Sequence, residues 1–235
     1  MNPGSRIIVA LDFEKAAEAA RLVEQLGTSA EFYKVGLQLL TAEGPSLVRQ
    51  LVTAGKRVFL DLKLLEIPNS VTGAVVAAGQ LGVSMVTVHA SGGSVVLRAV
   101  VEAARAYPRL QVLALTVITS MRDQDLPEVG INATAEKQVV RLAQLAANAG
   151  CHGVVASPRE AQLLRELLPR EMLIVTPGTQ LPGDAKNDQA RIATPADAIR
   201  AGSTHLVIGR SITRSPDPAA AFSAICDQVA AAALQ

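Results

Sequence analysis

Charged residues stand out in one short segment of this chain, the nine residues from Asp61 to Asn69, which read Asp-Leu-Lys-Leu-Leu-Glu-Ile-Pro-Asn. Asp61, Lys63 and Glu66 follow Arg57-Val58-Phe59-Leu60, a run typical of a buried parallel strand. Active sites of α/β proteins lie at the carboxyl ends of such strands. The segment therefore predicts an active site, with Asp61 and Lys63 on one side of the strand because they alternate by two.

Other polar residues stand where further strand-like runs end. They are Asp12, Lys34, Thr119, Gly178 to Gln189, and Gly209-Arg210-Ser211. If all these runs end on one face of the molecule, the side chains can meet in one site. Simpler interpretations stay open: Asp12 could cap a helix that begins near Phe13, and the lysines and aspartates could form a purely structural ion-pair network.

The elements that must position these residues alternate along the chain. Eight strand-like runs are predicted at 7–11, 32–35, 58–62, 85–89, 112–117, 153–156, 173–175 and 205–208. Helix-like stretches fall between them, including 16–26, 47–54, 71–81, 95–106, 136–149 and 159–168. This alternation predicts one (β/α)8 TIM barrel domain over residues 1–235. A doubly wound sheet is the alternative, but no GxGxxG follows the first strand.

Glycines near the end of the chain indicate a phosphate site. Pro177-Gly178 follows the seventh strand and Gly209-Arg210-Ser211 follows the eighth, where barrels bind phosphate through backbone N–H groups. Arg210 would add a bidentate contact, although the glycines could also serve only as tight turns. The polar loop from Thr179 to Arg191 is long for a strand-to-helix connection, which is typical of a lid.

Composition limits the classes of partner. The 235 residues are 49% apolar with a formal net charge of +1, and Trp is absent, so neither nucleic acid nor an acidic membrane surface is expected to bind. A small molecule is the expected partner. The two cysteines, Cys151 and Cys226, have no CxxC spacing and the N-terminus lacks an apolar leader, which favours a cytoplasmic location. No His or Cys pair has metal-ligand spacing, so no metal is expected.

With these residues in place, the chain resembles the bacterial type of the orotidine 5'-phosphate decarboxylase family from Ile7 to about Pro218. The motifs that carry the resemblance are Val9-Ala10-Leu11-Asp12, Lys34-Val35-Gly36, Phe59-Leu60-Asp61-Leu62-Lys63, Ile67-Pro68-Asn69, Val88-His89-Ala90-Ser91-Gly92-Gly93, Thr176-Pro177-Gly178 and Ile208-Gly209-Arg210. The resemblance implies a TIM barrel that decarboxylates orotidine 5'-phosphate to uridine 5'-phosphate in pyrimidine biosynthesis, without metal or organic cofactor.

The family carries a Lys-Asp-Lys-Asp array whose last Asp reaches the active site of the other subunit in a homodimer. Lys34, Asp61 and Lys63 match this array, whereas Glu66 stands in place of the last Asp. Two further departures are Gln180, where the family usually has a phosphate-binding Arg, and Ser70, where Thr is usual. The resemblance thus implies a shared active site, with a carboxylate that is one methylene longer.

Roles for the site residues also follow from the resemblance. Lys63 would stabilise and then protonate the C6 carbanion, Asp61 would face the substrate carboxylate, and Lys34 and Glu66 would hold the array. The implied substrate-binding residues are Asp12 and Lys34 for ribose, Thr119 and Ser70 for the base or nearby ribose, Ile67, and Gln180, Gln189, Gly209 and Arg210 for phosphate.

Two other functions stay open. A magnesium-dependent keto-sugar phosphate decarboxylase or synthase of the same superfamily shares an Asp-x-Lys-x-x-Asp motif. That group has a metal-binding Glu near the end of the second strand, where this chain has Lys34. The second alternative is a nucleotide-binding homologue with impaired catalysis, which Glu66 and Gln180 motivate.

Overall fold

A computed structural model describes residues 2–181 and 193–234. All eight predicted strands are present, and each of their ends lies within two residues of the predicted one. Their bounds are β1 Ile7–Ala10, β2 Phe32–Gly36, β3 Arg57–Leu64, β4 Met85–His89, β5 Gln111–Leu115, β6 Gly153–Val155, β7 Leu173–Thr176 and β8 His205–Ile208.

The strands form a closed barrel in sequence order. Every neighbouring pair is parallel, and β8 closes the ring by pairing with β1 through Ile7 and Leu206. The predicted TIM barrel is confirmed, and the alternative of an open doubly wound sheet is wrong. Because all eight strands run the same way, their carboxyl ends share one rim, which we call the mouth.

Ten α-helices lie among the described residues. They are α1 Ala16–Leu26, α2 Leu37–Glu43, α3 Ser46–Thr53, α4 Pro68–Gln80, α5 Gly93–Ala104, α6 Ala135–Asn148, α7 Pro158–Leu167, α8 Pro195–Arg200, α9 Arg210–Thr213 and α10 Pro218–Ala232. Helix α2 was not predicted, because only Leu39 of its seven residues is buried and the apolar spacing is weak. None of the described helices is long and apolar enough to cross a membrane.

Alternate residues of each strand face opposite sides, which separates the core into two packed layers and sets the direction of the predicted site residues. Ile7 and Val9 of β1 pack outward against the helices, whereas Ile8 and Ala10 fill the barrel interior. Phe32 of β2 and Phe59 of β3 also face the interior. By the same alternation the interior positions nearest the mouth include those of Lys34 and Asp61, so the strand period directs these two charges into the barrel.

The opposite end of the barrel is closed by a stack of aromatic and cationic groups. The Arg57 guanidinium lies 4.0 Å from the centre of the Phe32 ring, and the ring of His205 meets Phe32 edge-on with centres 6.1 Å apart. Arg6 donates hydrogen bonds to the carbonyls of Ser203 and Thr204. Burial, with smaller contributions from Arg57 and Arg6, lowers the pKa of His205 to about 4. His205 therefore packs into the closed end of the barrel, away from the mouth.

Candidate active site

A cleft of about 1090 Å³ opens at the mouth of the barrel. It is bordered by the ends of β1, β2, β3, β5, β7 and β8, so it gathers residues that are far apart in the sequence. The predicted site residues that line it are Asp12, Lys34, Asp61, Lys63, Thr119, Gln180, Gly209 and Arg210. The carboxyl-end position that the strand pattern predicts for these residues therefore coincides with a cavity.

Four charges of alternating sign run across the cleft. The Nζ atom of Lys34 lies 2.8 Å from Oδ1 of Asp12 and 3.8 Å from Oδ2 of Asp61. That same Asp61 oxygen lies 2.9 Å from Nζ of Lys63. Two ammonium groups and two carboxylates balance in charge, which is what permits charged side chains to sit in a largely enclosed place.

Asp12 does not cap a helix. Helix α1 begins at Ala16 with Lys15 as its N-cap residue, and the Asp12 carboxylate instead accepts a hydrogen bond from Lys34. The capping interpretation was therefore wrong, because the chain needs three more residues after Asp12 to turn from β1 into the helix. Asp12 is the most exposed member of the array, with 60% of its side-chain surface accessible, so it faces whatever enters the cleft.

Strand β3 is irregular where it carries its charged residues. Leu60 pairs with Val86 and Leu64 with Val88, so four positions of β3 face two of β4 and two extra residues bulge from the ladder. Within this bulge Lys63 has a φ of 51°, the one positive value found at a non-glycine residue of the described chain. A left-handed backbone at such a residue costs roughly 1–2 kcal/mol, and strain of this kind is concentrated at functional sites.

A buried threonine contacts both predicted site residues of the bulge, Asp61 and Lys63. Thr87 of β4 is completely buried, and its Oγ1 atom accepts a hydrogen bond from the backbone N–H of Lys63 at 2.9 Å. The same hydroxyl donates to Oδ1 of Asp61 at 3.0 Å. Thr87 was not predicted as a site residue, because a threonine in a Met-Val-Thr-Val run is typical of an ordinary strand.

His89 ends β4 close to the array. Its Nδ1 atom accepts a hydrogen bond from the backbone N–H of Ser91 at 3.3 Å and lies 2.5 Å from the Ser91 hydroxyl oxygen. Burial, with a smaller contribution from the Lys63 ammonium, lowers the pKa of His89. The imidazole is therefore expected to be neutral at neutral pH and to leave the charge balance of the array unchanged.

The phosphate end predicted from the glycines lies on the β7 and β8 side of the cleft. Gly178 has a φ of 80°, and the backbone N–H of Gln180 donates to the carbonyl of Ala193 at 3.0 Å. Gly209 immediately precedes α9, and a Cβ there would lie 3.6 Å from Cβ of Ala10 and 4.0 Å from Oδ2 of Asp12. Arg214, which the sequence analysis did not single out, also lines this end. Gln189 and most of the predicted lid lie outside the described residues.

Three predicted site residues lie beside the cleft and do not line it within a single chain. Glu66, Ile67 and Ser70 are exposed in the segment between β3 and the first turn of α4. The Glu66 carboxylate accepts a hydrogen bond from the backbone N–H of Ile67 at 2.6 Å. The Glu66 side chain is thus exposed to solvent, and none of the described residues forms an ion pair with it.

Comparisons with known proteins decide the family. The sequence profile described as the Orotidine 5'-phosphate decarboxylase / HUMPS family matches residues 5–225. The chain belongs to this family. Two orotidine 5'-phosphate decarboxylases are similar to it over nearly their whole length. The protein from Nitrosomonas europaea is 49% identical over 96% of this chain and 97% of its own, and that from Moorella thermoacetica is 46% identical over 97% and 94%.

Solved structures of the family have the same fold. The crystal structure of orotidine 5'-phosphate decarboxylase from Lactobacillus acidophilus superimposes with a TM-score of 0.86 at 34% identity, covering 95% of this chain and 98% of that one. The orotidine 5'-phosphate decarboxylase from Pyrococcus horikoshii, at 23% identity and a TM-score of 0.75, agrees in fold.

Proposed function

We propose that this chain is an orotidine 5'-phosphate decarboxylase that forms uridine 5'-phosphate, with Lys63 as the group that meets the reacting carbon. The observation that carries the proposal is the Lys63 ammonium held 2.9 Å from the Asp61 carboxylate inside a cleft large enough for a nucleotide. The family to which the chain belongs, and relatives of that name at 46–49% identity, support the same reaction.

The proposed decarboxylation requires a cation beside C6 of the pyrimidine. When the bond between C6 of the pyrimidine and the carboxylate breaks, CO2 leaves and the electron pair stays on C6. An ammonium already fixed beside C6 stabilises that charge without reorganising at the moment of reaction. Lys63 then transfers a proton to C6 and completes the product. The bond to CO2 is replaced by a C–H bond, and no electrons are gained or lost.

Asp61 and Lys34 are proposed to set up this step. A bound substrate would bring its carboxylate close to Asp61, and the reaction relieves that repulsion as CO2 departs. Lys34, which contacts both aspartates, would keep the Asp61 carboxylate in place and, with Asp12, bind ribose hydroxyls. Thr119 would contact the base, while Gln180, Gly209 and Arg210, with Gln189, would bind the phosphate.

The proposed role of Lys63 is tested by replacing it. Lys63→Ala should reduce turnover by at least about 10⁴-fold, because it removes both the proton donor and the stabilising charge. The measurement is the fall in absorbance of orotidine 5'-phosphate with purified protein. Lys137→Ala, which removes an exposed lysine of α6, is the matched control and should leave turnover unchanged.

The outcomes separate the competing functions. Equal turnover by the Lys63 variant would rule out the proposed mechanism. A wild-type protein without turnover would favour the nucleotide-binding homologue with impaired catalysis, and turnover that EDTA abolishes would favour the magnesium-dependent enzymes. The last outcome is not expected, since the Lys34 ammonium lies within 4 Å of both Asp12 and Asp61 and would repel a divalent cation there.

We further propose a homodimer in which Glu66 completes the site of the neighbouring subunit. Large apolar side chains are exposed around the β2 to β4 side of the mouth: Leu37, Leu65, Ile67 and Val95. Such a group of exposed apolar residues is typical of a protein interface. Glu66 lies among them and lacks a described ion pair within its own chain, as expected for a residue whose partner belongs to another subunit.

Mixed dimers test this arrangement. Lys63→Ala and Glu66→Ala chains, co-expressed with different tags, should each form dimers with little activity. In the isolated mixed dimer, one site combines an intact Lys63 with an intact Glu66 from the other chain, so about half of the wild-type activity should return. If Glu66 acts within its own chain, both sites of the mixed dimer are defective and no activity returns.

The state of the two cysteines gives information on the cellular compartment in which the chain works. Cys151 is buried, Cys226 is half-buried, and both are free thiols. Burial raises the pKa of the Cys151 thiol to about 12, which keeps it protonated and unreactive. We propose a reducing compartment, the cytoplasm, as the place where the chain works.

A further inference from the structure

We propose that Thr87 is a positioning residue for the decarboxylation: its single hydroxyl fixes the Asp61 carboxylate and holds Lys63 in the left-handed backbone conformation. The inference rests on the proposed function, because it assigns a role in that reaction. The bulge of β3 carries both residues that Thr87 contacts. In a regular strand, residues 61–63 would each stand opposite a residue of β4, but here only Thr87 lies opposite all three.

The bulge leaves a donor without its usual partner. In a regular parallel pair, each N–H of β3 that faces β4 donates to a backbone carbonyl. Two extra residues between Leu60 and Leu64 break that register opposite Thr87. The N–H of Lys63 then bonds to the Thr87 hydroxyl instead of a carbonyl. A buried N–H without an acceptor is costly, so this hydroxyl supports the left-handed conformation of Lys63.

The same hydroxyl determines which way Asp61 points. Oδ1 of Asp61 accepts the hydrogen bond from Thr87, which directs the other oxygen, Oδ2, toward Lys34 and Lys63. A hydroxyl donates one hydrogen bond and accepts at the same time, so a threonine can satisfy both neighbours at once. Thr87 is completely buried, which keeps water away from its hydroxyl.

Backbone and side chain of the bulge are therefore coupled through one atom. Oγ1 of Thr87 links the main chain of Lys63 to the carboxylate of Asp61, and Asp61 binds the Lys63 ammonium in return. The closed loop of contacts places the ammonium relative to the carboxylate. Displacement of a catalytic group by about 1 Å can reduce turnover by about a hundredfold.

A second buried threonine offers a matched control. Thr116, at the end of β5, is also completely buried, but its hydroxyl donates to the backbone carbonyl of Val155 at 3.1 Å. No charged group takes part in that bond. Replacing Thr116 by valine removes a buried hydroxyl of the same size without disturbing the four-charge array.

The experiment compares Thr87→Val, Thr87→Ser and Thr116→Val in the full-length protein. For each variant we would measure the urea midpoint, kcat for orotidine 5'-phosphate, and the calorimetric affinity for uridine 5'-phosphate. Thr87→Val should lower kcat by about 10- to 100-fold while the product affinity changes by less than about threefold, since the product lacks the carboxylate that faces Asp61. Thr87→Ser, which retains the hydroxyl, should recover most of kcat.

Thr116→Val should keep kcat within about threefold of wild type at a comparable loss of stability. If Thr87→Val does not fold, Thr87→Cys takes its place, because a thiol has a similar volume and only weak hydrogen bonds. Unchanged kcat in Thr87→Val, or equal losses in the valine and serine variants, would overturn the proposal. A wild-type protein without turnover would instead overturn the proposed function, so the two failures are distinguishable.

Discussion

The four charged side chains that run across the cleft each contact a neighbour of opposite sign, and these contacts determine the effect of a single substitution. Lys34 contacts Asp12 and Asp61, and Asp61 contacts Lys63 as well. Removing one member leaves the other three with an uncompensated net charge, which disfavours above all the two least exposed members, Lys34 and Asp61. Losses of activity in this array are therefore expected to be strongly non-additive.

The phosphate end is the part of the site where one added group should help. Gln180→Arg would place a guanidinium where the substrate phosphate is proposed to bind, and a charge-assisted bidentate contact is worth about 1.4 kcal/mol or more. We expect the KM for orotidine 5'-phosphate to fall about tenfold with little change in kcat. Steady-state kinetics would measure both.

Gln162→Arg is the matched control for this charge change, because Gln162 is exposed on α7 away from the cleft. It should leave KM unchanged. A KM that stays the same or rises in Gln180→Arg would contradict the proposed position of the phosphate.

Most of the proposed site could be predicted from residue type and from the alternation of residues along the strands, but Thr87 could not. Asp61 and Lys63 are charges at the end of an apolar run, which is an unusual pattern. Thr87 carries no such signal, because its importance arises from a register shift between β3 and β4 that only the paired strands reveal. Asp12 was ambiguous for a related reason. In the sequence, an aspartate that caps a helix cannot be distinguished from an active-site aspartate until the first residue of the helix is known.

Among the elements, α4 contains two glycines, one with no room for a larger side chain and one with open space around it. A Cβ at Gly79 would lie 2.3 Å from the Tyr107 ring, whereas nothing lies within 4 Å of a Cβ at Gly73. Gly79→Ala should therefore destabilise the protein by roughly 1–3 kcal/mol through overpacking. Gly73→Ala should stabilise it by up to about 1 kcal/mol, because alanine is the better helix former.

Urea unfolding of the two alanine variants beside wild type would measure the difference. The pair shares one helix and one chemical change, so the backbone contribution is the same in both. Destabilisation of equal size in the two variants would show that the contact with Tyr107 is not what requires Gly79.

Elements were predictable where their apolar spacing is strong. The predicted helix over 16–26 coincides with α1, since its buried residues Ala19, Leu22 and Leu26 recur at helical spacing. The predicted third strand ended at Leu62, whereas β3 continues to Leu64. Its end was missed because the bulge interrupts the strand period, and charged residues within it do not resemble a strand.

At the scale of the whole molecule, the buried imidazole opposite the mouth makes stability depend on pH. The pKa of His205 is about 4 in the folded chain, below its usual value of 6.5, so the unfolded chain binds the proton more readily. Stability is fully present above pH 6.5 and declines as the pH falls toward 4. By pH 5 the loss from this group should be roughly 2 kcal/mol.

His205→Gln isolates this contribution, because glutamine is polar and does not titrate. The variant should be less stable at pH 7.5, yet its free energy of unfolding should fall less between pH 7.5 and pH 5 than that of wild type. His89 and His152, whose pKa values are also lowered by burial, contribute to both proteins alike. The same slope in the two proteins would mean that His205 is not responsible.

The closed ring of strands has a consequence for aggregation. Because β8 pairs with β1, every strand of the barrel has a hydrogen-bonded neighbour on both sides. Unpaired strand edges are templates on which other chains can add, and a closed ring offers none. Unwanted association of the folded chain is then expected to begin at exposed apolar side chains, and Leu37, Leu65, Ile67 and Val95 beside the mouth are among them. A subunit that covers them would keep the protein in solution as well as complete its site.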